Sequence, residues 1–339
     1  MSKIQTKIMV AAMVAASAAM TVGCAKEGEE SQHEDAPLGE FSPVKVERFD
    51  SLVAIYGQSS ASGRDSLSAQ FAPVIDLMSR MNSGREADDV IADIAATRYF
   101  EVFFPDVAAR LGSLDALEAE LGSLRELLPA QADSVRFPSR VFGIVTPYDQ
   151  SVMLSDSIML IGLNHYLGAD YAGYEGFDDY RRRLKTLSRT PIDVAEALVY
   201  TAYPFDGSSS STALQRMVYE GAVVAAVSRA LPRRQLSEIM GYTPEQMQWL
   251  EQHESEIWRK MVADQMLYTH DRSIAERLVL PAPFTSVISP DAPGRAGRFI
   301  GYRIAESYLR NNPQSKPSDL LGGPTLTGDD LLVRAGYRK

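Results

Sequence analysis

Residues 135–163, VRFPSRVFGIVTPYDQSVMLSDSIMLIGL, change the texture of a chain that otherwise reads as one helical pattern after another. β-Branched and aromatic residues crowd this stretch, and Pro147, Asp149, Ser155 and Asp156 break it. Such residues suit a pleated, half-buried backbone, and the breakers between them close short turns. The segment therefore predicts three strands, RVFGIV, SVML and SIMLIGL, joined tightly enough to form an antiparallel meander. One small antiparallel sheet in a helical surround sets the expected class, α+β and predominantly helical.

On the N-terminal side, Leu67, Phe71, Val74 and Met78 mark an apolar helical face within 65–81. Val90, Ile94, Thr97 and Glu101 form a mixed stripe over 87–104, which Pro105 follows. Ser113 is placed to cap a helix carrying Leu114, Leu117, Leu121, Leu124 and Leu128 on one side. On the C-terminal side, helices are expected near 191–203, 211–230, 243–269, 272–280, 294–311 and 327–335. Pro191, Thr243–Pro244 and Gly294 supply their starts. No internal repeat is evident, and residues 45–339 read as one globular domain.

The 339 residues carry a formal charge of −10, the wrong sign for a nucleic-acid partner. The richest basic cluster, Arg181, Arg182, Arg183 and Lys185, follows Asp178 and Asp179 and reads as a solvated helix face. Residues 1–23 have the form of a signal peptide: Lys3 and Lys7 precede IMVAAMVAASAAMTVG, too short and alanine-rich for a comfortable transmembrane helix. That segment ends at Cys24, the single cysteine of the chain. TVGC resembles the lipobox of bacterial lipoproteins, although Thr21 stands where leucine is usual. The resemblance implies cleavage before Cys24 and diacylation of its thiol, often with a further acyl chain on its amine. Two or three chains on one residue anchor stably, where one does not. Residues 24–44 are then a lipidated, disordered tether. Their acids Glu27, Glu29 and Glu30 resemble the export signal of surface lipoproteins in Bacteroidetes-type bacteria.

Four segments in order carry a wider resemblance: SIMLIGLNHYLGADYAGY (157–174), MVYEGAVVAAVSRALP (217–232), MGYTPEQMQWLEQHESEIWRKMVADQMLY (240–268) and APFTSVISPDAPGRAGRFIGYRIAESYLRNNP (282–313). Together they resemble the gliding-motility lipoprotein family GldB of Bacteroidetes-type bacteria. The resemblance implies a lipid-anchored protein of the cell envelope, facing the periplasm or the cell surface. Its partners would belong to a motility or secretion apparatus.

A weaker likeness links the layout to predicted zinc peptidases, which carry His-Glu-x-x-His on one helix and a ligand glutamate on the next. Two histidines at i and i+4 share a helix face and hold zinc, while the glutamate between them activates water. The corresponding run here is Ala195-Glu196-Ala197-Leu198-Val199, with Glu220 downstream. Both histidine positions are apolar, so the reading is a peptidase-like architecture without its metal, and no metal or cofactor is expected.

Glu196, Glu220 and His165 are the remnant candidates. Glu220 lies on an apolar helix and needs a buried partner, expected in Arg298 or Arg303. His165 is expected to rest on backbone at the end of the third strand. Among the other histidines, His33 lies in the tether, and His253 and His270 lack metal-ligand spacing. GSSSST (207–212) lacks the spacing of a nucleophile elbow. PGRAGR (293–298) could hold an anion at a helix start, although its glycine equally suits close packing. The leading expectation is a non-catalytic scaffold or binding protein. The alternatives are an unconventional hydrolase built on Glu196 or Glu220 with His165, and a protein that adds a peptide strand beside the third strand.

Overall fold

A computed structural model describes residues 41–339 apart from 82, 83, 156 and 209. The expected signal peptide, Cys24, His33 and most of the expected tether therefore lie outside the described residues. Strand β1 (Val46–Arg48) leads into helices α1 (Phe49–Tyr56), α2 (Ala61–Gln70), α3 (Ala72–Met81), α4 (Ala87–Ala95), α5 (Arg98–Arg110) and α6 (Asp115–Gln131). Then come β2 (Arg140–Ile144), β3 (Val152–Ser155), β4 (Ile158–Gly162) and the short α7 (Asp179–Arg182). The remainder is α8 (Thr190–Ala202), α9 (Ala213–Ala230), α10 (Leu236–Met240), α11 (Pro244–Gln252), α12 (Glu254–Ala263), α13 (Arg272–Val279), α14 (Ala296–Asn311), α15 (Gly323–Thr327) and α16 (Leu331–Ala335).

The class is helix-dominated α+β, as the sequence predicts, but the sheet is not an antiparallel meander. Its order is β1-β2-β4-β3. β1 runs parallel to β2, and β2 parallel to β4; only the β3–β4 hairpin is antiparallel. Burial explains the rearrangement. Every residue of β4 is buried, which requires a strand on each side, whereas β3 is only half-buried and takes the edge. The parallel β1–β2 pair needs a crossover, and α1–α6 supply it. Because β4 is flanked on both sides, the expected strand addition beside it has no free edge to use.

Local chemistry moves several helix bounds. Thr97 adopts extended backbone and its side chain accepts from Phe100 N, so it caps α5 instead of continuing a stripe, and Pro105 lies inside that helix. The stretch 65–81 divides at Phe71, just ahead of Pro73. The long helix expected over 243–269 divides at His253, beside buried Glu254. The packed chain also begins before residue 45: Val44 is buried, its N–H donates to Glu118 O at 2.9 Å, and Ser42 packs on Gly122.

The centre of the fold is α9, buried along nearly its whole length, as its apolar run dictates. Its Gly221 meets Gly301 of α14 backbone to backbone. A Cβ on Gly301 would come 1.7 Å from Met217 O, and one on Gly221 would come 2.0 Å from the Gly301 carbonyl carbon. Two glycines thus bring α9 and α14 close together and fix the height of Glu220 and Arg298.

Candidate functional site

α8 begins at Thr190-Pro191, with the proline in its first turn, where its missing N–H costs no helical bond. From this start Arg189, Asp193 and Glu196 follow one helix face. Arg189 is buried and donates to Asp193 Oδ1 at 2.8 Å and to Glu196 Oε1 at 3.4 Å. Its Nη1 also donates to the carbonyls of Glu238 and Ile239, at 2.7 and 3.0 Å. Arg298 of α14, fully buried, donates to Glu196 Oε1 at 2.7 Å and places Nε 3.9 Å from Glu220 Oε2. Glu220 accepts from Arg216 Nη2 and from Tyr200 Oη, both at 2.7 Å.

Glu196 and Glu220 are therefore joined through Arg298, the partner expected for Glu220. The other expected partner, Arg303, pairs instead with Glu254 at 3.2 Å. Burial alone would raise the Glu196 pKa, but Arg298 and Arg189 outweigh it and hold it at about 2. Burial likewise disfavours the Arg298 cation, and the adjacent Glu196 more than restores it. A carboxylate held this firmly ionised is a weak proton acceptor near neutrality.

His165 lies in a helical turn just beyond β4 and is buried. Its Nε2 lies 3.0 Å from the carbonyl of Tyr148, the backbone partner expected for it, and its Nδ1 lies 3.4 Å from Lys185 Nζ. These partners suit a neutral ring with the proton on Nε2. Burial, assisted by the Lys185 charge, pushes the pKa down to about 4. A cleft of about 450 Å³ is lined by both His165 and Glu196, but not by Glu220. The three remnant candidates are thus divided between a cleft wall and a buried ion-pair network.

His253 stacks on Trp249 with centroids 4.1 Å apart, and His270 is exposed. No group of three or more His, Cys, Asp or Glu side chains among the described residues is placed to hold a metal. Trp258 is core, packed edge-on to Tyr337. Gly297 abuts Leu278 of α13, the packing role available to it from the sequence.

Sequence reasoning missed Arg189 and Asp193, although their spacing to Glu196 (i, i+4, i+7) places all three on one side of a helix. It also took the 181–185 cluster for a solvated face. Arg181 is exposed, but Arg181, Arg183 and Lys185 all line the cleft. α7 ends at Arg182, so the cluster turns inward over His165 instead of continuing as a helix face.

Among the described residues, no helix is long and apolar enough to cross a membrane. No curated protein and no solved structure matches the chain significantly. A family model described as gliding motility protein GldB matches residues 30–339. With so much of the chain matched, the protein belongs to the family of the gliding motility protein GldB.

Proposed function

We propose that this protein is a lipid-anchored component of the cell envelope that serves the gliding apparatus, or a related secretion machinery, as a non-catalytic scaffold. The observation that carries the reading is the engagement of Glu196. The carboxylate positioned like a water-activating base is tied to two buried arginines and held near pKa 2. Glu220, positioned like a third metal ligand, is occupied by Arg216, Tyr200 and Arg298. Apolar Ala195 and Val199 stand where the two histidine ligands would be. A hydrolase using His165 as proton carrier fares little better, because a ring with pKa about 4 and both nitrogens engaged exchanges protons poorly near neutrality.

The anchor rests on TVGC ahead of an acidic tether, and the envelope location follows from the family. Elemental mass spectrometry of the purified full chain, paired with proteolysis assays, tests the non-catalytic reading. The expected result is no stoichiometric metal and no peptidase activity. One tightly bound zinc per chain, with proteolysis that chelators abolish, overturns it.

A further inference from the structure

The cleft beside His165 opens just past the carboxyl end of β4, where His165 and Tyr166 enter its wall. Its volume of about 450 Å³ suits a small organic molecule. Five cations line it: Arg181, Arg183, Lys185, Arg189 and Arg295. Arg189 is neutralised by Asp193 and Glu196. The other four make no salt bridge among the described residues, and Asp149 is the one further carboxylate in the lining. This is unexpected in a chain with 44 acidic and 34 basic residues. Cations left unpaired in a partly desolvated wall are costly unless an anion joins them.

The individual side chains support this. Arg183 Nε is buried without a hydrogen-bond partner, while its Nη2 donates to Gly241 O at 2.6 Å. Arg295 makes one side-chain hydrogen bond among the described residues, from Nε to Val279 O at 3.3 Å, leaving both Nη groups of its fork available. Its backbone is left-handed at φ 66°, a conformation costly for arginine, just ahead of the 16-residue α14. Neighbouring Gly294 admits no side chain, since a Cβ there would lie 1.7 Å from Ala282 O. Lys185 Nζ is held 4.4 Å above the Phe177 ring. Burial lowers the pKa of Arg183, Lys185 and Arg295 alike, even though Asp193 and Asp149 act in the opposite direction on Lys185 and Glu196 does so on Arg295.

We propose that this cleft binds a small organic oxyanion, its carboxylate or phosphate head between Arg295, Arg183 and Lys185 and its body against Phe177 and Tyr180. Head-group recognition follows from the arginine fork, which meets either oxyanion with two parallel N–H donors. Ligand binding of this kind goes beyond the scaffold role and does not depend on it: it supplies the apparatus component with a ligand that an enzyme or a transporter elsewhere must produce or deliver.

The test is calorimetric titration of the full chain in detergent, at fixed ionic strength, with 3-phenylpropionate, phenyl phosphate and the neutral 3-phenylpropanamide. At least one anion is expected to bind saturably and the amide not. Whichever anion binds tighter identifies the head group, carboxylate or phosphate. Lys185→Met and Arg295→Gln should each weaken binding roughly ten- to hundred-fold, the usual worth of a charged hydrogen bond. Exposed Arg181→Gln, which leaves the core untouched, should weaken it measurably and keeps the test decisive if a deeper variant misfolds. Equal binding of the amide, no saturable binding of either anion, or unchanged affinity in Arg181→Gln and Lys185→Met would overturn the proposal.

Discussion

Replacing Arg298 by methionine removes the guanidinium that joins Glu196 to Glu220 while roughly keeping its volume. Deleting one partner of a buried ion pair costs about 3–5 kcal/mol, because the abandoned charge stays buried. The lower end applies, since Glu196 keeps Arg189 at 3.4 Å and Glu220 keeps Arg216 and Tyr200 at 2.7 Å. With an unfolding entropy near 2.1 cal/mol/K per residue over roughly 300 residues, about 3 kcal/mol lowers Tm by about 5 °C. The pH dependence gives a second signature. Glu196, held at about 2, contributes stability that is complete above its ordinary value of 4.5 and is lost as pH falls toward 2. Without Arg298, burial raises its pKa, so acidification costs the variant less. Urea unfolding of wild type and Arg298→Met at pH 7 and pH 3 should show a gap of about 3 kcal/mol that narrows at the lower pH. A gap under about 1 kcal/mol at pH 7, or one independent of pH, would refute the reasoning.

Three further outcomes follow from other parts of the molecule. Gly301→Ala drives a Cβ onto the Met217 carbonyl oxygen 1.7 Å away, and should destabilise by at least about 3 kcal/mol in urea unfolding. His165 titrates at about 4, below the 6.5 of an unfolded chain, so its stabilising contribution is whole above pH 6.5 and lost on acidification toward 4. His165→Gln should flatten stability across that window, and the His165 ring resonances of wild type should stay constant between about pH 5.5 and 8. Cys24→Ala should move the protein from the membrane to the soluble fraction and abolish incorporation of labelled palmitate; retention in the membrane would refute the anchor.

The helical frame was legible because its apolar stripes recur at helical spacing, and α9 announced its burial by the unbroken apolar run from Gly221 to Val227. The sheet was legible as strands but not as a topology. Val46–Arg48 is too short to stand out, and the parallel pairing of β2 with β4 rules out a simple meander. Turn chemistry locates the β3–β4 hairpin, whereas the order β2-β4-β3 depends on which strand the helices bury. In the site, Glu220 was readable as a buried carboxylate in need of an arginine, since an isolated acid on an apolar helix has few alternatives. Arg216 and Tyr200 serve it at 2.7 Å with Arg298 farther off at 3.9 Å, whereas Arg303 pairs with Glu254, which Tyr337 and Lys339 also reach. The cleft was not legible. Its cations come from 181–189 and from Arg295, brought together only by packing between distant segments.

The central claim is that Glu196 and Glu220 are committed to a buried ion-pair network and perform no chemistry. Its most direct test is complementation with Glu196→Gln/Glu220→Gln/Arg298→Met in cells lacking their own copy. The triple variant removes both candidate bases together with the cation that would otherwise be stranded. The amide introduced at position 196 can still meet Arg189, and the one at position 220 can still meet Tyr200 and Arg216. The account predicts restored gliding at wild-type protein levels in the membrane fraction. Normal abundance and localisation without movement would contradict it and return the carboxylates to a catalytic role.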